Sequence, residues 1–272
     1  MVAYAALMRT TARRRVAAVL ALLLVPCAVA LARPAQAAPP PEAFLVGDSV
    51  MNGMAQTYGA ASRALLASRH SFIMDTKGCR RLITTSCRIG GNPAPPNAIT
   101  TIRANAGRYR TALVVAVGYN DPTTGSVGLT TAIDVILAEA RRQGIPHVIW
   151  LTYRVAGPSA SRFAAHNAVL RTRAAREPML VIADWATRSR SMPSSWFSGD
   201  GIHLGRDATI AMADLVADTL DIVTAPMGGS KCVVTNSTTP APGVAPPATV
   251  ITAAPVGAVA SRLARRQHLW CP

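Results

Sequence analysis

Four short stretches carry residue types that chemistry uses. Phe44-Leu45-Val46-Gly47-Asp48-Ser49-Val50 runs apolar and then stops at Gly-Asp-Ser. A strand that ends at a glycine and turns into a helix leaves the Ser49 hydroxyl exposed at the strand's carboxyl end. There it meets the unpaired N–H groups and positive partial charge of a helix N-terminus. That setting suits a nucleophile which attacks a carbonyl and then faces an oxyanion. Gly-Asp-Ser is also ordinary turn and N-cap chemistry, so the reading of Ser49 depends on what lies downstream.

Of the five histidines (His70, His147, His166, His203 and His268), His203 has an acidic residue at a telling spacing. In Ser198-Gly199-Asp200-Gly201-Ile202-His203-Leu204 one turn of chain can bring the Asp200 carboxylate to Nδ1. The tautomer is then held and Nε2 is free to take a proton. Gly118-Tyr119-Asn120-Asp121 offers an Asn side chain whose NH₂ can donate into the space above a sheet, as an oxyanion donor does. Gly78, in a loop, offers a backbone N–H for the same purpose. Each also has a plain structural reading: a polar surface turn for Asp200–His203, an Asn-Asp-Pro turn for Asn120, and an unremarked loop glycine for Gly78.

The elements around these stretches alternate. Residues 43–47, 71–74, 111–118, 147–153 and 179–185 read as strands; 111–118 is a continuous apolar run suited to burial on both faces. Helices are predicted over 52–68, 98–106, about 126–143 with Ser126 or Thr130 as cap, 161–175 and 208–221. Five such alternations argue for an α/β fold with a parallel sheet covered by helices on both faces. Sheets of that kind place their sites at the carboxyl ends of the strands. Ser49, Gly78, Asn120 and the Asp200–His203 turn all fall at that edge.

Ahead of this domain, Arg9, Arg13, Arg14 and Arg15 precede an apolar run over 16–31, and Ala35-Gln36-Ala37 supplies small residues. This is the layout of a secretory signal peptide over 1–37, and the run, interrupted by Pro26, is short for a membrane span. The formal charge is +15; without the five arginines of that leader, 23 basic residues face 13 acidic ones, roughly +10. The arginines are scattered, with no basic stripe interleaved with aromatics, so a nucleic-acid partner is not indicated. An anionic envelope polymer fits the charge, as does a solvated surface with no specific partner. The domain is predicted over 38–224. Residues 225–272 turn to Ala, Pro, Thr and Val, the composition of a linker or tail.

Beyond Cys27 of the leader there remain Cys79, Cys87, Cys232 and Cys271, which allow three pairings. Local spacing favours Cys79–Cys87 and Cys232–Cys271, in keeping with an oxidising compartment. No Cys-x-x-Cys or His-x-x-x-His spacing suggests zinc.

Gly47-Asp48-Ser49, Gly78, Gly118-Tyr119-Asn120-Asp121 and Asp200-Gly201-Ile202-His203 together resemble the blocks of the SGNH (GDSL-type) hydrolases, over about residues 43–223. The resemblance implies a three-layer α/β/α sandwich, flavodoxin-like, around a central, mostly parallel five-stranded sheet. It also implies ester or carbohydrate-ester hydrolysis through an acyl-serine, with no metal or other cofactor. Ser49 would be the nucleophile, His203 the general base and then acid, and Asp200 its orienting partner. The Ser49 N–H, the Gly78 N–H and the Asn120 side chain would form the oxyanion hole. The α/β-hydrolases are disfavoured because Met51 stands where Gly-x-Ser-x-Gly needs glycine. Asp48-Ser49-Val50-Met51, Ile182-Ala183-Asp184-Trp185 and the stretch 196–204 are similar to the extracytoplasmic SGNH domains of bacterial peptidoglycan O-acetyltransferases. Expected substrates are therefore small-molecule or glycan esters, with water or a sugar hydroxyl as acyl acceptor. A non-catalytic envelope-binding module is the rival of another class. Trp185 and Trp196 could wall an acyl group or belong to the core. Asp121 could brace the Asn120 loop, and Arg154 could meet an anionic substrate group or be a solvated loop arginine.

Overall fold

The computed structural model describes residues 40–125 and 127–225, together with three short strands beyond them. The leader, the Cys232–Cys271 pairing and the Ser126 cap lie outside the described residues. Five strands form one sheet: β1 (Ala43–Gly47), β2 (Phe72–Thr76), β3 (Ala112–Ala116), β4 (His147–Leu151) and β5 (Leu180–Ala183). All pair in parallel, in the order β2-β1-β3-β4-β5. β1 and β3 are buried along their whole length, as their uninterrupted apolar sequences require.

The helices are α1 (Ala60–Ala67), α2 (Ala98–Ala104), α3 (Leu129–Arg142), α4 (Ala160–Ala174), α5 (Trp185–Arg190) and α6 (Arg206–Thr224). α1 and α6 pack against each other; α2, α3 and α4 pack in succession as the other layer. The α/β/α architecture is that of the sequence reading, with the sheet parallel throughout. Chain direction across the sheet reverses between β1 and β3. A crevice opens at such a reversal, outside the carboxyl ends of the strands, and Ser49 and Asn120 follow those two strands.

Three departures from expectation have local causes. The helix predicted from 52 is two 3-10 turns (Met51–Ala55 and Thr57–Gly59) before α1. Gln56 between them is extended (ψ 166°), and a Cβ on Gly59 would lie 2.5 Å from the carbonyl oxygens of Gly53 and Met54, so glycine permits the doubling back. α3 starts at Leu129 behind an extended Gly128, leaving Thr130 inside the helix and not as its cap. The fifth strand is shorter than predicted because Asp184 caps α5, its carboxylate accepting from the Thr187 N–H at 3.3 Å. Beyond the domain, Cys232–Thr235, Thr249–Ile251 and His268–Trp270 pair as a small antiparallel sheet. The sequence reading assigned no strands there, although two of the three contain β-branched runs. Among the described residues no helix is long and apolar enough to cross a membrane.

Candidate active site

β1 ends where it must. A Cβ on Gly47 would sit 2.7 Å from the Met51 Cβ and 2.8 Å from the Thr76 methyl. The Asp48 N–H continues the ladder to the Ala116 carbonyl (3.0 Å). The Asp48 side chain is fully buried and folds back: Oδ1 accepts from the Val50 N–H (3.0 Å), and Oδ2 from the Gly118 and Tyr119 N–H groups (3.1 Å each). Burial pushes its carboxyl up to about 6, against the lowering effect of those three donors. Asp48 thus staples the serine turn to the loop after β3.

Ser49, half-buried, is left facing the final loop. Its Oγ lies 2.9 Å from His203 Nε2, and His203 Nδ1 is hydrogen-bonded to Asp200 Oδ2. Asp200 Oδ1 also accepts from the Ile202 and His203 N–H groups (3.0 and 3.2 Å). Partial burial acts to raise the Asp200 carboxyl, but the hydrogen bonds from Ile202 and His203 prevail and hold it below its ordinary value. The turn is closed by Gly201, which has φ +76° and donates to the Ser198 carbonyl (2.8 Å), and by the Ser198 N–H to the His203 carbonyl (2.9 Å). Phe197 and Leu204 bridge its base.

Strand register carries two further loops to the same edge, because Gly47 lies opposite both Thr76 and Ala116. Gly78 follows β2, and Ile89 stands against it. Among the described residues neither the Ser49 N–H nor the Gly78 N–H donates to another group. Asn120 donates one amide N–H to the Arg80 carbonyl (3.2 Å), which leaves its second N–H for a ligand. Gly118 allows the Asn120 loop to form: its φ is +140°, and a Cβ there would be 2.1 Å from the Tyr153 hydroxyl. Asp121 braces the loop, accepting from the Leu82 N–H at 3.0 Å.

Sequence reasoning missed Arg80. Its guanidinium is buried and donates to the carbonyls of Gly47 (3.2 Å), Asp75 (2.6 Å) and Pro96 (3.1 Å) and to the Asp75 carboxylate (2.8 Å). One side chain therefore ties the end of β1 to the loop that positions Gly78 and Asn120. The available signal was its place beside Cys79, which bonds to Cys87 as expected, with Cα atoms 5.3 Å apart. A long charged side chain inside a short crosslinked loop has few directions open to it.

Arg154 is more than a solvated loop arginine: it is half-buried, donates to the carbonyls of Gly201 and Ser189 through Nε and Nη1, and lies over the Phe197 ring. Trp185 is buried in the core beside Phe197. Trp196 lines a recess with Leu65, Ile210 and Ala211. His70 pairs with Glu42, and His166 sits in an aromatic cluster with Tyr153 and Phe163, where burial and Arg162 push it down to about 4.

No family model matches the sequence, and no curated protein does either. Solved structures do match in fold. The C-terminal catalytic domain of Streptococcus pneumoniae peptidoglycan O-acetyltransferase A, solved with a methylsulfonyl adduct, is 19% identical (TM-score 0.52), the match covering 68% of this chain and 96% of that one. The Mycobacterium smegmatis aryl esterase is 10% identical (TM-score 0.51; 67% and 99% covered). A protein described as an SGNH hydrolase from Slackia heliotrinireducens is 16% identical (TM-score 0.50; 66% and 98% covered). The chain has the fold of the SGNH hydrolases.

Proposed function

We propose that this chain is a serine esterase of the SGNH type, cleaving acyl or acetyl esters through an acyl-serine. The observation that carries the reading is the unbroken line Ser49 Oγ, His203 Nε2, His203 Nδ1, Asp200 Oδ2, with the Ser49 and Gly78 N–H groups donating to no other group among the described residues. In the first step His203 Nε2 takes the Ser49 proton as Oγ bonds to the ester carbonyl carbon. Charge moves to the carbonyl oxygen, where the Ser49 N–H, the Gly78 N–H and the open Asn120 N–H receive it. The C–O bond then breaks and His203 returns the proton to the departing alkoxide. In the second step water gives His203 a proton, attacks the acyl-serine, and the acid leaves as Ser49 regains its proton. Asp200 keeps Nε2 facing Ser49 throughout and stabilises the imidazolium. No metal or cofactor is required.

The predicted leader, the Cys79–Cys87 disulfide and the likeness to the catalytic domain of a peptidoglycan O-acetyltransferase support export to the cell envelope, with glycan or lipid esters as substrates and an anionic envelope polymer as the partner for the basic surface. The O-acetyltransferase domain among the similar structures favours one second reading, transfer of the acyl group to a sugar hydroxyl in place of water. A fluorophosphonate probe tests both. Wild-type protein should label and Ser49→Ala should not; equal labelling of the two sinks the acyl-serine and leaves the envelope-binding module. Incubating an acetyl ester with and without a glycan acceptor then separates transfer from hydrolysis.

A further inference from the structure

The base half of the site sits on a surface turn, and the contacts inside that turn do not anchor it to the sheet. The Tyr58 hydroxyl holds its far end, donating to the Leu204 carbonyl at 3.1 Å; the Asp200–Gly201 end is anchored by the loop after β4. Its backbone is held rigidly: Asn167 accepts from the Tyr153 N–H and donates to the Tyr153 carbonyl, both at 2.7 Å, and the Tyr153 hydroxyl donates to the Val117 carbonyl at 2.8 Å. Arg154 follows directly. Its N–H donates to the Tyr119 hydroxyl (2.8 Å), next to Asn120, and its Nε donates to the Gly201 carbonyl (2.8 Å), inside the Asp200–His203 turn. Its Nη1 donates to the Ser189 carbonyl, and the guanidinium lies 3.8 Å from the centre of the Phe197 ring, at the base of the same turn. Three residues on, Gly157 (φ +71°) lies so close to the turn that a Cβ would be 2.6 Å from the Asp200 carbonyl oxygen.

We propose that Arg154 is a positioning residue for the Asp200–His203 pair, fixing the base turn to the loop that carries Asn120 so that His203 Nε2 stays on Ser49. The inference rests on the reading of Ser49, His203 and Asp200 as a catalytic line. The planar guanidinium is suited to this work: it meets two carbonyls at set angles while stacking on a ring, which a lysine ammonium does not do. Loss of it leaves Asp200 and His203 in the chain but frees their turn to move. A misplacement on the order of 1 Å is enough to cost about 10²-fold in rate.

The test uses Arg154→Ala and Arg154→Lys, the latter keeping charge and stem should the alanine variant fail to fold. Both should lower kcat on an aryl acetate by about 10–100-fold with KM held within about twofold. Both should also lose or broaden the downfield proton resonance of His203 Nδ1–H, which reports the bond to Asp200 without any substrate. Added methylguanidinium should restore part of the rate to the alanine variant. A sharp, unshifted resonance with wild-type kcat in either variant overturns the proposal, as does a loss confined to KM. Should the wild type itself fail to turn over esters, the function proposed above falls, while the resonance still decides whether Arg154 holds the turn.

Discussion

The two halves of the site are built on opposite plans, and an aspartate in each makes the contrast plain. On the nucleophile side Asp48 is fully buried, takes three backbone N–H groups and, among the described residues, forms no ion pair. Burial pushes its carboxyl up to about 6. On the base side Asp200 has a side chain 40% exposed, bonds to His203, and is held below its ordinary value. Asp48 shapes backbone and Asp200 shapes a histidine. The buried half is locked by strand ladders and by carboxylates and carbonyls facing inward. The exposed half is held by side chains reaching across from elsewhere, Arg154 from the loop after β4 and Tyr58 from the turns before α1. A nucleophile has to be fixed against its oxyanion donors, whereas a base has to pick up and return a proton at the solvent edge; the two plans match those needs.

The largest expected effect breaks the line at its buried end. Ser49→Ala removes the acyl-bearing atom and should lower kcat by roughly 10⁵–10⁶-fold while the protein folds as before. Any residual turnover within about 100-fold of wild type would mean that another group carries the acyl. At the exposed end, Asp200→Asn keeps the shape of the turn but no longer requires the Nδ1–H tautomer. A fall of about 10³–10⁴ in kcat is expected, with an unchanged Tm because the side chain is half in water. If Tm fell and kcat did not, Asp200 would belong with Asp48 as a structural residue and the contrast would collapse. Asn120→Ala sharpens the buried half: kcat should fall about 10²–10³-fold with KM little changed, the mark of an interaction made in the transition state.

What could be read from the chain divides along the same line. The buried half was legible because its requirements are local. An apolar run, then a glycine where only hydrogen fits between Met51 and Thr76, then a serine, is a pattern in consecutive residues. Asp200 and His203 were legible for the same reason, being three residues apart in one turn. What was not legible depends on tertiary approach. Gly59 lets a predicted helix become two 3-10 turns because the carbonyls of Gly53 and Met54 pack against it, and Gly53 in turn lies against Leu204 and Thr209, far along the chain. Arg80 and Arg154 look alike in sequence, charged residues in loops after strands. One becomes a buried clamp on Gly47 and the other a clamp on Gly201, and only the fold supplies the carbonyls they bind.

The smallest effect concerns the cost of the buried half. Asp121 is fully buried; its Oδ1 accepts from Leu82, but Oδ2 has no hydrogen-bond partner among the described residues. Burial pushes the carboxyl from 3.8 up to about 6, with the Leu82 N–H pulling down, Asp48 adding to the rise, and Arg81 and Arg162 opposing it. Between these two values the folded chain keeps a proton that the unfolded chain has released. Folding stability therefore falls as pH rises through that window, and the ionised carboxylate costs up to about 3 kcal/mol above it. Asp121→Asn keeps an oxygen for Leu82 and carries no charge. Its unfolding free energy should match that of the wild type near pH 4 and exceed it by about 1–3 kcal/mol at pH 7. A shallower slope should remain in the variant, since Asp48 titrates over the same window. Glu139, held at about 2 chiefly by Arg142, has the opposite sign and acts below the window, its contribution fading as pH falls from 4.5 toward 2. Denaturant titrations at pH 4 and pH 7 would decide it. Parallel losses at both pH values would mean that Asp121 acts through hydrogen bonding alone, and that the buried half carries no charge penalty at this position.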